Sequence, residues 1–195
     1  GMSTNAGTNG WKAAEENEVR EKFLSRQQPP KKIIAFSLWG DSPKYTIGAI
    51  KNAKLAKEIY PDWTCRFYLG TSVPAEIISE LKELDNTEVI EMEEEGNWAG
   101  MFWRFMAANE EDVIMVSRDV DCRLSRREKA AVDEWLQGDK PFHIMRDHPY
   151  QKTEILGGMW GCRKGVLKGV NKMMEDYTKG DFWQVDQNFL REKIY

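Results

Sequence analysis

A single α/β domain with a mostly parallel central sheet flanked by helices is predicted by three observations. Short apolar runs alternate with segments of helical periodicity. Serine or proline stands at the start of several helical segments. A fourth run, Asp112 to Ser117, has a centre apolar enough to be buried on both faces, as central parallel strands are. Alternation over the first four strands implies right-handed βαβ units. The 195 residues suit one sizeable domain.

Residues 1–30 read as a polar N-terminal extension, helical in part or disordered, and residues 31–195 as the domain itself. Gly1 ahead of Met2 reads as a cloning remnant, with no signal peptide after it. The stretch from Trp11 to Gln27 can form a helix with a patchy apolar side of Trp11, Val19 and Phe23, and Pro29-Pro30 ends it. Ile33 to Phe36 reads as a buried strand. Ser42-Pro43 then offers a capping hydroxyl and a proline at the first helical position. Ala49, Ala53, Ala56 and Tyr60 recur at helical spacing before Pro61.

Thr64 to Leu69 alternates, with Cys65, Phe67 and Leu69 on one face. Pro74 opens a helix carrying Ile77, Ile78, Leu81 and Leu84, and Glu88 to Met92 is the third strand. The acidic run Glu93 to Glu95 reads as a solvated loop. A helix containing Met101, Phe102, Phe105 and Met106 precedes the fourth strand. Ser125 with Glu128 forms a capping box for a helix ending near Gly138, with Ala131, Val132, Trp135 and Leu136 as its buried stripe. Strand candidates at 142–145 and 154–162 and helices near 165–178 and 183–193 complete the pattern.

The composition narrows the function classes. A net charge of −4 without a basic stripe argues against nucleic acid as a partner. No apolar run reaches membrane-spanning length. Cys65, Cys122 and Cys162 are too widely spaced for a zinc motif, and their odd number fits a reduced, cytoplasmic setting. Eight tryptophans, six tyrosines and eight phenylalanines exceed what the domain size asks for. Most belong to core packing, and the remainder offer a sugar-stacking surface.

Ligands of open α/β sheets bind beyond the carboxyl ends of the strands, and Asp119-Val120-Asp121 stands at that end of the fourth strand. Extended residues at i and i+2 point the same way, so both carboxylates can converge on one cation. Hard oxygen ligands suit Mn2+ or Mg2+, which bridge diphosphates. A bare acidic triplet also serves as a loop cap. The preceding apolar strand, the flanking Arg118 and Arg123, and the capped helix that follows favour the metal reading.

RDVDCRLSRRE (118–128), preceded by GMFWRFMA (100–107) and followed by FHIMRDHP (142–149), ILGGMWG (155–161) and DQNFL (186–190), resembles a group of GT-A glycosyltransferases. The segment from Ile33 to Trp63 is similar to the start of the same domain, so the resemblance runs from about Lys31 to the end. It implies a Rossmann-like GT-A fold. It also implies a nucleoside-diphosphate sugar donor and a saccharide or other hydroxyl acceptor, with Asp119 and Asp121 holding Mn2+ or Mg2+ and the donor. By the same resemblance Phe36, Ser37 and Leu38 match the nucleotide-base site, and Arg104 and Arg118 contact the donor. The alternative for Arg104 is a surface salt bridge with an acid such as Glu110.

Gly157-Gly158 resembles the close-approach segment of the sugar and acceptor pocket, or forms a β-bulge. Trp160 stacks on a sugar or packs in the core. Asp186 resembles the pocket acid of the fold class, as base or acceptor contact. Asp147 is a second candidate for that role, with His148 beside it in the pocket; the plain alternative is an Arg146–Asp147 ion pair. One departure stands out. Many GT-A enzymes complete the metal shell with a late histidine, and here only His143 and His148 exist. Either the metal is held more simply or a closing segment is lacking.

Two other classes compete. A nucleotidyltransferase needs a glycine-rich, basic loop after the first strand, and SLWGDSPK has one glycine. A non-catalytic or degenerate sugar- or nucleotide-binding domain is opposed by the intact acid pair and favoured by the missing histidine. A Ser-His-Asp hydrolase lacks its G-x-S-x-G elbow.

Overall fold

The apolar runs become strands and the periodic segments between them become helices. The computed structural model describes residues 8–27, 29–144 and 159–162. In chain order these form α1 (Thr8–Gln27), β1 (Lys31–Leu38), α2 (Pro43–Ile59), β2 (Thr64–Leu69), α3 (Ala75–Glu83) and β3 (Thr87–Glu91). A 3-10 helix (Trp98–Asn109), β4 (Val113–Arg118), α4 (Arg126–Gln137), β5 (Phe142–Ile144) and β6 (Met159–Cys162) follow. Contacts divide the chain into Gly1–Pro30 and Lys31–Tyr195. Trp11, Val19 and Phe23 of α1 are exposed.

The sheet has six strands in the order β3-β2-β1-β4-β6-β5. β1 pairs in parallel with β2 and β4, and β2 with β3. β6 runs antiparallel between β4 and β5. The expected mixed α/β architecture with a mostly parallel sheet is therefore present. Strand alternation divides the core into two layers. Ile34, Phe36 and Leu38 of β1 join Cys65, Phe67 and Leu69 of β2 against Ala49, Ala53 and Ala56 of α2, Ile77 and Leu81 of α3, and Val132 and Trp135 of α4. Ile33 and Ala35 face the opposite way, onto Phe102, Trp103 and Phe105 of the 3-10 helix. β4 contributes Ile114 and Val116 to the first layer and Val113 and Met115 to the second, so it is buried on both faces as its sequence predicts.

Several local expectations change. Ser42 precedes α2, but its side chain makes no cap hydrogen bond; its carbonyl accepts from the Tyr45 and Thr46 amides at 3.0 Å each. Pro43 at the helix start fixes φ without that help. Ser125 does cap α4, accepting from the Glu128 amide at 3.2 Å. The segment around Met101 is a 12-residue 3-10 helix, unusually long for that geometry. Its Arg104 amide donates to Ser37 Oγ at 2.9 Å, which draws a backbone donor away from the α-helical pattern. The Glu93–Glu95 side chains are solvated, yet the Glu94 and Glu95 carbonyls accept from the Thr71 amide (2.8 Å) and Ser72 Oγ (2.6 Å). The helices expected near 165–178 and 183–193 lie outside the described residues.

Candidate functional site

The chain runs from β1 outward to β2 and β3, then returns to β4 on the other side of β1. That reversal leaves a crevice between β1 and β4 at their carboxyl ends, where open α/β sheets place ligands. A cavity of about 480 Å³ occupies it. Ser37 and Leu38 from the end of β1, Trp39 to Ser42 from the following loop, and Tyr45 of α2 form one side. Met101 and Arg104 of the 3-10 helix and Asp119, Val120 and Asp121 after β4 form the other. The volume lies in the range of small-molecule sites.

The two aspartates converge by a different route from the one expected. β4 ends at Arg118, and residues 119–122 form a turn in which the Cys122 amide donates to the Asp119 carbonyl at 3.3 Å. Turn geometry, not strand pleat, brings a carboxylate oxygen of Asp119, one of Asp121 and Cys122 Sγ within 4.8 Å of one another. Each acid has an internal cation. Arg104 Nη1 pairs with Asp119 Oδ1 and donates to the Arg118 carbonyl at 3.1 Å. Lys44 Nζ lies 3.6 Å from Asp121 Oδ2. Glu110, the partner considered for Arg104, instead pairs with Arg66.

The donor set suits a hard divalent ion through its two carboxylates. Cys122 is a poor third ligand for such an ion. Partial desolvation first, then the negative charges of Asp121 and Asp119, raise its thiol pKa. Burial alone pushes the other two thiols, Cys65 and Cys162, up to about 12, and all three cysteines are free.

Of the residues singled out in the sequence, the structure gathers Ser37, Leu38, Arg104, Asp119 and Asp121 around the cavity. Ser37 is already engaged: its hydroxyl accepts from the Arg104 amide and donates to the Met101 carbonyl at 3.4 Å, pinning the 3-10 helix to β1. Phe36 is not at the cavity. Its ring is fully buried and stacks on Phe67 with centroids 4.9 Å apart. Arg118 does not line it either. It is 3% exposed, and its Nε donates to Glu128 Oε2 of α4 at 3.2 Å, because strand alternation puts it on the same face of β4 as Ile114 and Val116, which pack in the layer with α4.

Trp160 pairs in register with Ser117, so its backbone reaches the same end of β4; its side chain lies outside the described residues. Asp147, His148, Gly157, Gly158 and Asp186 lie outside them as well. His143, the other histidine, is buried and stacked on Trp135 at 5.3 Å.

Trp39, Tyr45 and Met101 also line the cavity and are not among the site residues read from the sequence. Trp39 meets Trp103 edge to face at 6.2 Å and packs against Gly96. Gly96 has φ 103°, and a side chain there would collide with the Trp39 Cβ. A tryptophan just past a strand end, beside a glycine-bearing loop, was the available signal.

No protein-family model matches the chain, and no curated protein matches it. Among solved structures, the fold is similar to that of the mannosyltransferase PcManGT from Pyrobaculum calidifontis, in complex with GDP-Man and Mn2+. The TM-score is 0.51 and the sequence identity 13%, over 84% of this chain and 51% of that one. This chain thus spans about half the length of that structure. At such identity the likeness establishes the fold, a mixed α/β arrangement compatible with a Rossmann-like glycosyltransferase. No helix among the described residues is long and apolar enough to cross a membrane.

Proposed function

We propose that the chain is a GT-A-type glycosyltransferase domain that moves a sugar from a nucleoside-diphosphate sugar to a saccharide or other hydroxyl acceptor. The carrying observation is the cavity at the β1–β4 switch point, bordered by two carboxylates close enough to share one cation. The fold neighbour, a mannosyltransferase solved with GDP-Man and Mn2+, supports the reading. Asp119 and Asp121 are the residues proposed to hold Mn2+ or Mg2+. A bound ion supplies positive charge for a departing diphosphate.

Arg104 orients Asp119 through its ion pair and keeps a buried guanidinium, 4% exposed, beside the cavity. Leu38 and Trp39 offer apolar surface to a planar base, and Lys44 can exchange Asp121 for a donor phosphate. Asp186 or Asp147 is the proposed base or acceptor contact, with Gly157, Gly158, His148 and Trp160 in the sugar and acceptor pocket. These assignments rest on the sequence resemblance. The free thiols support the reduced, cytoplasmic setting that goes with this reading.

One observation favours a second reading, a non-catalytic binding domain. Both carboxylates carry a protein cation, which leaves the acid pair neutralised from within. Thermal-shift measurements with nucleoside diphosphates and nucleotide sugars, with and without Mn2+, separate the readings. A ligand at about 100 times its Kd adds roughly 2.7 kcal/mol, a shift of about 5–10 °C. The transferase reading predicts such a shift for one nucleotide only when metal is present, its loss in Asp121→Ala, and slow metal-dependent donor hydrolysis. Metal-independent binding without hydrolysis supports the binding domain. A folded Asp121→Ala that keeps metal-dependent binding removes the metal assignment.

A further inference from the structure

Asn52 lies on α2, about 70 residues before the acidic turn, and is 0% exposed. A buried carboxamide is costly unless its hydrogen bonds are made, and asparagine also weakens a helix interior. The hydrogen bonds of this side chain all go to the segment that carries Asp121. Nδ2 donates to the Val120 carbonyl at 3.3 Å and the Cys122 carbonyl at 2.8 Å, while Oδ1 accepts from the Leu124 amide at 3.1 Å. The segment belongs to no strand or helix, so its backbone groups have no ladder of their own. Arg123 adds a return contact, with Nη1 donating to the Gly48 carbonyl of α2 at 3.0 Å and to the Val120 carbonyl at 2.9 Å.

We infer that Asn52 is a positioning residue that fixes the turn on both sides of Asp121 and so sets the spacing of the metal-binding carboxylates. The inference rests on the proposed reading of Asp119 and Asp121 as metal ligands. The division of labour is clear in the bonds. Arg104 holds the Asp119 side chain, whereas Asn52 holds backbone at residues 120, 122 and 124 and leaves the Asp121 carboxylate to face the cavity. A carboxylate at position 52 keeps an acceptor for the Leu124 amide but sets oxygen against two carbonyls. Asn52→Asp therefore removes the donor half of the clamp with little change in volume.

The test uses Mn2+ alone, followed by electron paramagnetic resonance, together with amide hydrogen exchange on the full chain. In the wild type the Leu124 amide is expected to exchange as slowly as amides of β4; exchange at the rate of an exposed loop overturns the clamp without any variant. In Asn52→Asp, or Asn52→Ser should the first not fold, faster exchange confined to 120–124 and a loss of about 10–100-fold in Mn2+ affinity are expected, as for other groups that orient metal ligands. Wild-type Mn2+ affinity in a folded variant overturns the inference. So does exchange that rises throughout the sheet, with affinity falling in step with stability, since that is the mark of a packing role alone. A wild type that binds no Mn2+, while Asp121→Ala changes nothing, sinks the metal reading and with it the positioning of metal ligands. The exchange data then report the backbone clamp separately.

Discussion

Replacing Gly48 with alanine tests the contact between α2 and the acidic turn by the sign of its effect. Glycine in a helix interior costs roughly 1 kcal/mol relative to alanine, so propensity alone predicts a more stable protein. The structure predicts the opposite. A Cβ at position 48 would overlap the Val120 carbonyl oxygen and stand 2.9 Å from Arg123 Nη2. The arginine can swing away, but the carbonyl is backbone, and it must move by about 1 Å to restore ordinary contact. Overpacking of this kind costs about 1–3 kcal/mol. Set against the propensity gain of roughly 1 kcal/mol, Gly48→Ala should be less stable by up to about 2 kcal/mol.

Urea denaturation measures this directly. With an m value of about 2 kcal/mol/M for a domain of this size, the midpoint should fall by up to about 1 M. The displaced carbonyl lies between Asp119 and Asp121, so metal-dependent donor stabilisation should weaken as well. A midpoint above the wild-type value would refute the reasoning, because the propensity gain would then stand unopposed and α2 would not press on the turn.

Two further outcomes follow from buried charge. Glu128→Ala removes the carboxylate paired with the buried Arg118 and should cost about 3–5 kcal/mol, whereas Glu80→Ala, which breaks an exposed pair with Lys54 at 3.9 Å, should stay within about 1 kcal/mol; chemical denaturation that ranks them equally contradicts the burial argument. His143 has its pKa lowered to about 4, by burial first and then by Arg118. Its folded-state value lies below the unfolded one near 6.5, so the neutral ring is favoured in the fold, and stability is lost as pH falls from about 6.5 towards 4. The stability difference between His143→Phe and wild type should shift in the variant's favour across that window by on the order of 3 kcal/mol, and a pH-independent difference argues against a buried neutral ring.

Much of the fold was legible because it is written in short-range periodicity. Ala49, Ala53, Ala56 and Tyr60 mark one helical face, Cys65, Phe67 and Leu69 one strand face, and all are buried where that spacing puts them. β4 was legible from its apolar centre. The acid pair was legible as a place, since Asp119 directly follows a strand that only a central position could bury. What was not legible concerned direction. Phe36 and Arg118 sit beside cavity residues in sequence, yet alternation turns one into the Phe67 stack and the other towards Glu128. The capping hydroxyl at Ser42 is the same kind of miss: the residue stands where a cap belongs, but the carbonyl, not the side chain, meets the helix.

The sequence by itself determined the order of elements, the faces they bury and the position of the carboxylates at a strand end, because each depends on residues within a few places of one another. Only the tertiary structure decided which groups surround those carboxylates. Arg104 meets Asp119, Lys44 meets Asp121, and Asn52 meets the turn between and beyond them, all because β1 and β4 are neighbours in the sheet although far apart in the chain. Partners separated by tens of residues leave no periodic trace, and only the sheet order, fixed by burial of both faces of β1 and β4, brings them together.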